Sequence, residues 1–138
     1  LFGSYWTEDL VEEVSASGLG VLCDPVGVAA DDRAMRSINA LAAGGVKIGF
    51  SLVTPANSPK SMRVGAAMCV RAGLDPNIAL KAMTGSAAEL SGAGDHAGVL
   101  AVGRDADFVL WSGSPLELSS SLDEVWVDGQ RVHGGEDK

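Results

Sequence analysis

The sequence predicts an α/β protein whose parallel strands give way to a β-rich C-terminal layer. Three observations point there. Apolar runs of strand length, residues 20–23 and 46–51, alternate with helix-length amphipathic stretches over the first half. The connections between them are short, the pattern of βα units, in which an intervening helix lets successive strands run parallel. Beyond Gly94 the helical period fades, and Asp128-Gly129 stands between two apolar runs, a strong hairpin signal.

Each element has its own local reasons. Residues 7–17 read as a helix, with Thr7 able to cap it, Glu8 and Asp9 suited to its positive end, and Leu10, Val11 and Val14 as a short apolar stripe. Gly18 ends it. The run 20–23 is a strand stopped by Asp24-Pro25. Asp31 or Asp32 caps a second helix to about Ala43, which puts Met35, Ile38, Leu41 and Ala42 on one face. Residues 46–51 form the next strand. A loop with Pro55 and Pro59 leads to a helix over 61–72, and Pro76 opens one more helix that reaches about Leu90. Residues 106–111, 124–127 and 131–133 are strands, the last two joined by the hairpin. The expected division is residues 1–95 and residues 96–138.

Composition narrows the function classes. Apolar residues make up 46% and aromatics only 5%, so the core is built from Ala, Val and Leu, which suits helices on a sheet. A net charge of −8 disfavours nucleic acid and anionic membrane surfaces, because both need basic patches. No apolar run has the roughly 18 residues of a membrane span. Cys23 and Cys69 lie in no CxxC or Cys/His cluster and read as buried free thiols, which fits a reducing, cytoplasmic compartment. The start, Leu1-Phe2-Gly3-Ser4-Tyr5-Trp6, has no Met and does not read as a signal peptide; the expectation is that it lies inside a longer polypeptide. Two or three parallel strands also make an incomplete sheet with open edges. A missing N-terminal part or another copy of the chain (a homo-oligomer) is the expected partner.

Three segments carry a family resemblance. The first is Ala43-Gly44-Gly45-Val46-Lys47-Ile48-Gly49-Phe50-Ser51-Leu52-Val53-Thr54-Pro55. The second runs from Gly73-Leu74-Asp75-Pro76 through Ala79-Leu80-Lys81-Ala82-Met83-Thr84 to Ala87-Ala88-Glu89-Leu90, with Ser86 where an Asn is usual. The third is Gly98-Val99-Leu100-Ala101-Val102-Gly103-Arg104-Asp105-Ala106-Asp107-Phe108-Val109-Leu110-Trp111. Together they resemble the amidohydrolase superfamily, and imidazolonepropionase-like members most. The resemblance implies a (β/α)8 TIM-type barrel plus a small β-sandwich, of which this chain would be the C-terminal part. It also implies a metal-dependent hydrolase acting on carbon–nitrogen bonds other than peptides. The cofactor would be a divalent metal, zinc first, and the partner a small-molecule substrate such as a cyclic amide. The family's His-x-His pair is not found here. The last barrel strand should carry an Asp that binds metal and takes a proton, and Val53 stands at that position.

The remaining polar residues have bland readings beside functional ones. Asp24 follows the strand before, as a loop cap or a substitute ligand. Ser51 and Thr54 sit at the strand end suited to substrate contact, or are satisfied loop hydroxyls. These three and Val53 are the substrate-pocket candidates; no catalytic residue and no metal ligand is assigned. His96 and His133 are isolated, and two histidines so far apart make no metal site without a third group. Asp107 reads as the holder of a turn or of the strand entry through backbone bonds. The chain is therefore expected to bind no metal and not to be catalytic by itself. The alternative is a degenerate relative that binds a small molecule or serves as a structural subunit.

Overall fold

The computed structural model describes residues 10–52 and 59–135. In order they form α1 (Val11–Ser17), β1 (Val21–Cys23), α2 (Pro25–Ala29), α3 (Asp32–Ala43), β2 (Ile48–Phe50), α4 (Pro59–Arg71), α5 (Pro76–Met83), α6 (Gly85–Ser91), β3 (Phe108–Trp111), β4 (Leu122–Val127) and β5 (Gln130–Gly134). The α/β expectation holds. Thr7, the expected cap of the first helix, lies outside the described residues, and α1 starts after Leu10 with no side-chain cap. Among the described residues no helix is long and apolar enough to cross a membrane.

Strands β1 and β2 pair in parallel, with Val21 opposite Ile48, Leu22 opposite Gly49 and Cys23 opposite Phe50. Alternation then sorts their side chains onto two faces. Val21, Cys23, Ile48 and Phe50 join a buried cluster with Ile38 and Leu41 of α3, Cys69 of α4 and Ala79 of α5. The other face carries Leu22 and Gly49, and α6 lies on it. A Cβ at Gly49 would stand 2.7 Å from Leu22 Cδ2 and 3.1 Å from Ala87 Cα, so glycine is what lets α6 approach. Lys47 and Glu89 pair at the rim of this contact, and the Lys47 ammonium holds the Glu89 carboxyl below the usual carboxylate range.

Two expectations about helices need correction. The single helix over 76–90 is two helices, α5 and α6, broken at Thr84. The Thr84 hydroxyl donates back to Leu80 O at 2.8 Å, a bond that satisfies the side chain where the helix turns aside. The turn brings Ala87 and Leu90 onto the glycine face of the sheet. Helix α2 was not expected at all. Asp24-Pro25 reads as a stop after β1, yet it starts a helix: Asp24 accepts from Val26 N at 2.9 Å and Pro25 takes the first helical position. Five residues are too few for periodicity to reveal such a helix.

Helix α2 crosses α4 with no room to spare. A Cβ at Gly65 would lie 2.7 Å from Pro25 C and 2.8 Å from both Pro25 O and Val26 N. All three atoms are backbone and cannot swing away.

The second layer is an antiparallel sheet in the order β3-β4-β5. The hairpin falls where the sequence puts it. Asp128 (φ 50°) and Gly129 (φ 72°) both have positive φ, as a two-residue hairpin turn requires. Asp107 Oδ1 accepts from Asp128 N at 2.8 Å, so Asp107 does hold a turn. Phe108 and Trp126 stack at 5.4 Å across β3 and β4. Arg63 of α4 joins the two layers. Its Nε donates to Pro115 O at 2.6 Å and its Nη2 to Glu117 O at 2.6 Å and Ser120 O at 2.9 Å, while the guanidinium lies 4.6 Å from the centre of the Trp111 ring.

Two predictions follow from this packing. Gly65→Ala should lower stability by about 1–3 kcal/mol through overpacking, although alanine favours a helix by about 1 kcal/mol. Urea unfolding measures it, and an unchanged or higher midpoint would mean that α2 and α4 are not in close contact. The thiols give the second. Burial, with Cys69 and Asp24 nearby, pushes Cys23 up to about 12, and burial pushes Cys69 up to about 11, from an ordinary 9.0. Folded values above the unfolded one mean that this stability is full below pH 9.0 and is lost as pH rises through 11 to 12. Iodoacetamide at about pH 8 should leave both thiols of the native chain unmodified and label both once urea is added, since the thiolate is the nucleophile. Rapid labelling of the native chain would contradict this burial.

Candidate functional site

Because β1 and β2 are parallel, their C-terminal ends lie at one edge. Ser51 N donates to Cys23 O at 2.9 Å, which continues the ladder one step past the last strand pair. That step puts Asp24 and Ser51 beside each other at the strand ends. The structure thus brings two of the four candidate residues together. Val53 and Thr54, the other two, lie outside the described residues.

The two differ in availability. Ser51 is half-buried and lines an open cavity of about 1250 Å³. Asp24 is 3% exposed, and one of its oxygens is held by the Val26 amide. The cap reading of Asp24 is the one its geometry shows.

The cavity runs from Ser51 between helices α5 and α6 and strand β3. Its wall is mostly apolar, from Leu22, Phe50, Leu80, Met83, Val99 and Trp111 among others. The polar groups on it are largely engaged. Thr84 bonds Leu80 O, the Ser91 hydroxyl donates to Ala87 O at 2.8 Å, and Asp107 serves the hairpin turn. Such a wall can hold apolar surface and offers little to a charged reacting group.

The other polar residues are dispersed. His96 is exposed in the connection after α6, where its backbone bonds Ala93 O and Asp105 N. His133 is exposed on β5. Among the described residues no three His, Cys, Asp or Glu side chains gather as a metal site would need. Cys23 is buried, with Sγ 3.8 Å from Gly49 O, and burial keeps it a thiol rather than the thiolate that binds metal. Among the described residues, the donors at these strand ends do not fit a divalent metal. Arg63 escaped the sequence reading altogether. Its carbonyl partners lie 52 to 57 residues further along the chain, and no local pattern announces them.

Comparison with known proteins agrees with this architecture. The model of the amidohydrolase family matches residues 49–133, more than half of the chain. An imidazolonepropionase from Shewanella woodyi is 44% identical over 71 residues, which is 47% of this chain and 17% of that protein. The amidohydrolase tasK of Hapsidospora irregularis is 37% identical over 57 residues, 41% of this chain and 6% of that protein. The crystal structure of an amidohydrolase from Thermotoga maritima superposes with a TM-score of 0.80 at 27% identity, covering 93% of this chain and 35% of that one. A second amidohydrolase structure, at a TM-score of 0.74 and 19% identity, shares the fold. The chain therefore spans from 6% to 39% of the length of these proteins. It belongs to the amidohydrolase family, with a sequence of the imidazolonepropionase-like kind.

Proposed function

We propose that this chain is the C-terminal portion of a metal-dependent hydrolase that cleaves carbon–nitrogen bonds other than peptides. In this reading residues 1–95 are the last βα units of a TIM-type barrel, and residues 96–138 are strands of a small β-sandwich. The observation that carries it is the superposition of 93% of this chain on 35% of a solved amidohydrolase. The parallel ladder that sets Asp24 and Ser51 at one edge supports it, because enzymes with this barrel work at the C-terminal ends of their strands.

The chemistry would come from elsewhere in the assembly. Family enzymes are generally metal-dependent, and here zinc would be held by residues of additional polypeptide, whether an N-terminal part or another copy. The apolar side chains left exposed beyond α6, such as Leu100, Val109, Leu110 and Val132, support such a partner. Ser51, Val53 and Thr54 would border the substrate, a cyclic amide or a similar small molecule. Two buried free thiols suit a cytoplasmic setting.

A specific observation favours a second reading. Residues 51–58, Ser-Leu-Val-Thr-Pro-Ala-Asn-Ser, contain no His, Cys, Asp or Glu, and the resemblance puts Val53 where the family has its proton acceptor. A non-catalytic relative that binds a small molecule would look like this.

The discriminating experiment uses the longest natural polypeptide that carries this sequence. It is assayed against cyclic amides and N-acyl compounds, with zinc and after chelation. Chelator-sensitive hydrolysis by that polypeptide, and none by the 138-residue chain, is the expected result. Binding of such compounds without turnover would instead establish the second reading. In the same polypeptide Val53→Asp should raise the rate by roughly 100- to 10,000-fold, the usual contribution of a general base. If the unchanged protein already turns over at ordinary enzyme rates and Val53→Asp abolishes this, the alignment of position 53 is wrong.

A further inference from the structure

The antiparallel sheet has two edges, and they are built differently. Its order, β3-β4-β5, leaves one side of β3 and one side of β5 without a strand neighbour among the described residues. An open edge invites pairing with another strand unless charge, proline or a bulge blocks it. Strand β5 is blocked. It carries Arg131 and His133, and Val132 is bulged out, since Val125 faces His133 and Trp126 faces Arg131. Strand β3 reads Phe108-Val109-Leu110-Trp111, with no charge and no proline. The irregularity in its ladder falls on Asp123 of β4, because Leu110 faces Glu124 and Trp111 faces Leu122. Val109 and Leu110 are 44% and 45% exposed. The cavity of about 1250 Å³ lies along this strand. It is larger than the roughly 300–1,000 Å³ of a small-molecule pocket, which leaves room for a further strand.

The backbone of β3 sets a register. Ala106 O accepts from Gly129 N and Ser112 N donates to Ser121 O, so the even-numbered residues aim their backbone groups at β4. By alternation those of Val109 and Trp111 aim at the open edge. An antiparallel pairing of β3 with its own copy, centred on Leu110, matches these groups. Val109 then faces the partner's Trp111 on both sides of the axis, and Asp107 faces the partner's Gly113, so no like charges meet. We propose that the open edge of β3 pairs in this register with β3 of a second copy, giving a two-fold dimer with a continuous six-stranded sheet. Self-matching patches of this kind build the commonest oligomers, two-fold dimers. The pairing uses β3 alone and holds whatever chemistry the assembly performs.

Sedimentation of the 138-residue chain at micromolar concentration should give twice the mass of one chain. Leu110→Lys sets two like charges on the axis and removes two apolar contacts. It should raise the dissociation constant by about tenfold or more. Val132→Lys, on the blocked edge, should leave it unchanged. If Leu110→Lys does not fold, Leu110→Cys decides. Opposed residues at such a non-hydrogen-bonded position have Cα atoms about 4.5 Å apart, within the roughly 4.4–6.8 Å that a disulfide spans. Oxidised glutathione should link two copies of Leu110→Cys and none of Val132→Cys. Each copy carries a net charge of −8, so sodium chloride, which screens the repulsion, should tighten the dimer. A chain that stays monomeric overturns the proposal, and that is the outcome if β3 is reserved for a strand of a longer polypeptide. A dimer that survives Leu110→Lys, that links through Val132→Cys, or that loosens with salt overturns it too.

Discussion

Arg63 ties the two layers together through polar contacts. Its guanidinium meets three backbone carbonyls of the connection between β3 and β4 and lies over Trp111 at the end of β3. A planar fork of donors suits this task, because it can serve several acceptors at once while its face rests on a ring. The carbonyls gain as well. Pro115, Glu117 and Ser120 lie in a connection outside the sheet ladder, where backbone groups need partners from other parts of the chain. A lysine would offer a point charge with neither the fork nor the flat face. One side chain in the second turn of α4 thus ties the connection of the antiparallel sheet to the α/β layer, beside the apolar packing of Leu116 on its core.

The α/β layer has its own constraint, which is thickness. Two three-residue strands are a small sheet, and both faces are covered. Helices α3, α4 and α5 supply branched and small apolar side chains on one face, and α6 comes close on the other because position 49 has no side chain. The same device recurs at Gly65, where α4 reaches the backbone of α2. Close approach replaces bulk in both places. That suits a chain with 5% aromatic residues, which has few large side chains to fill gaps between layers.

Much of this was legible in the sequence where the signal is local. The strands at 21–23 and 48–50, the helix from Asp32 and the hairpin at Asp128-Gly129 all follow from period, caps and turn chemistry. The motif around Ala106 and Asp107 marked both the family and the turn that Asp107 holds. What stayed hidden depends on distant partners. Helix α2 is shorter than any period, and the break at Thr84 serves a contact with a sheet more than thirty residues earlier. The clamp by Arg63 spans over fifty residues. Of the four candidate residues, Asp24 and Ser51 could be placed side by side because parallel strands end at the same edge. The buried, capped state of Asp24 needed the fold.

The acidity of the chain has a structural explanation in part. Asp24, Asp31 and Asp75 each accept a backbone N–H at the start of a helix, and Asp107 accepts one from a turn. Each helix cap of this kind stabilises by about 1 kcal/mol. Four of the acidic residues behind the net charge of −8 are thereby tied to the backbone that they order. A carboxylate near a strand end is read first as a ligand when a metal enzyme is in mind. Here the same group answers an older requirement, the unpaired amides that every helix start exposes. The two roles compete for the same oxygen lone pairs, and at Asp24 the helix holds one of those oxygens in a buried setting.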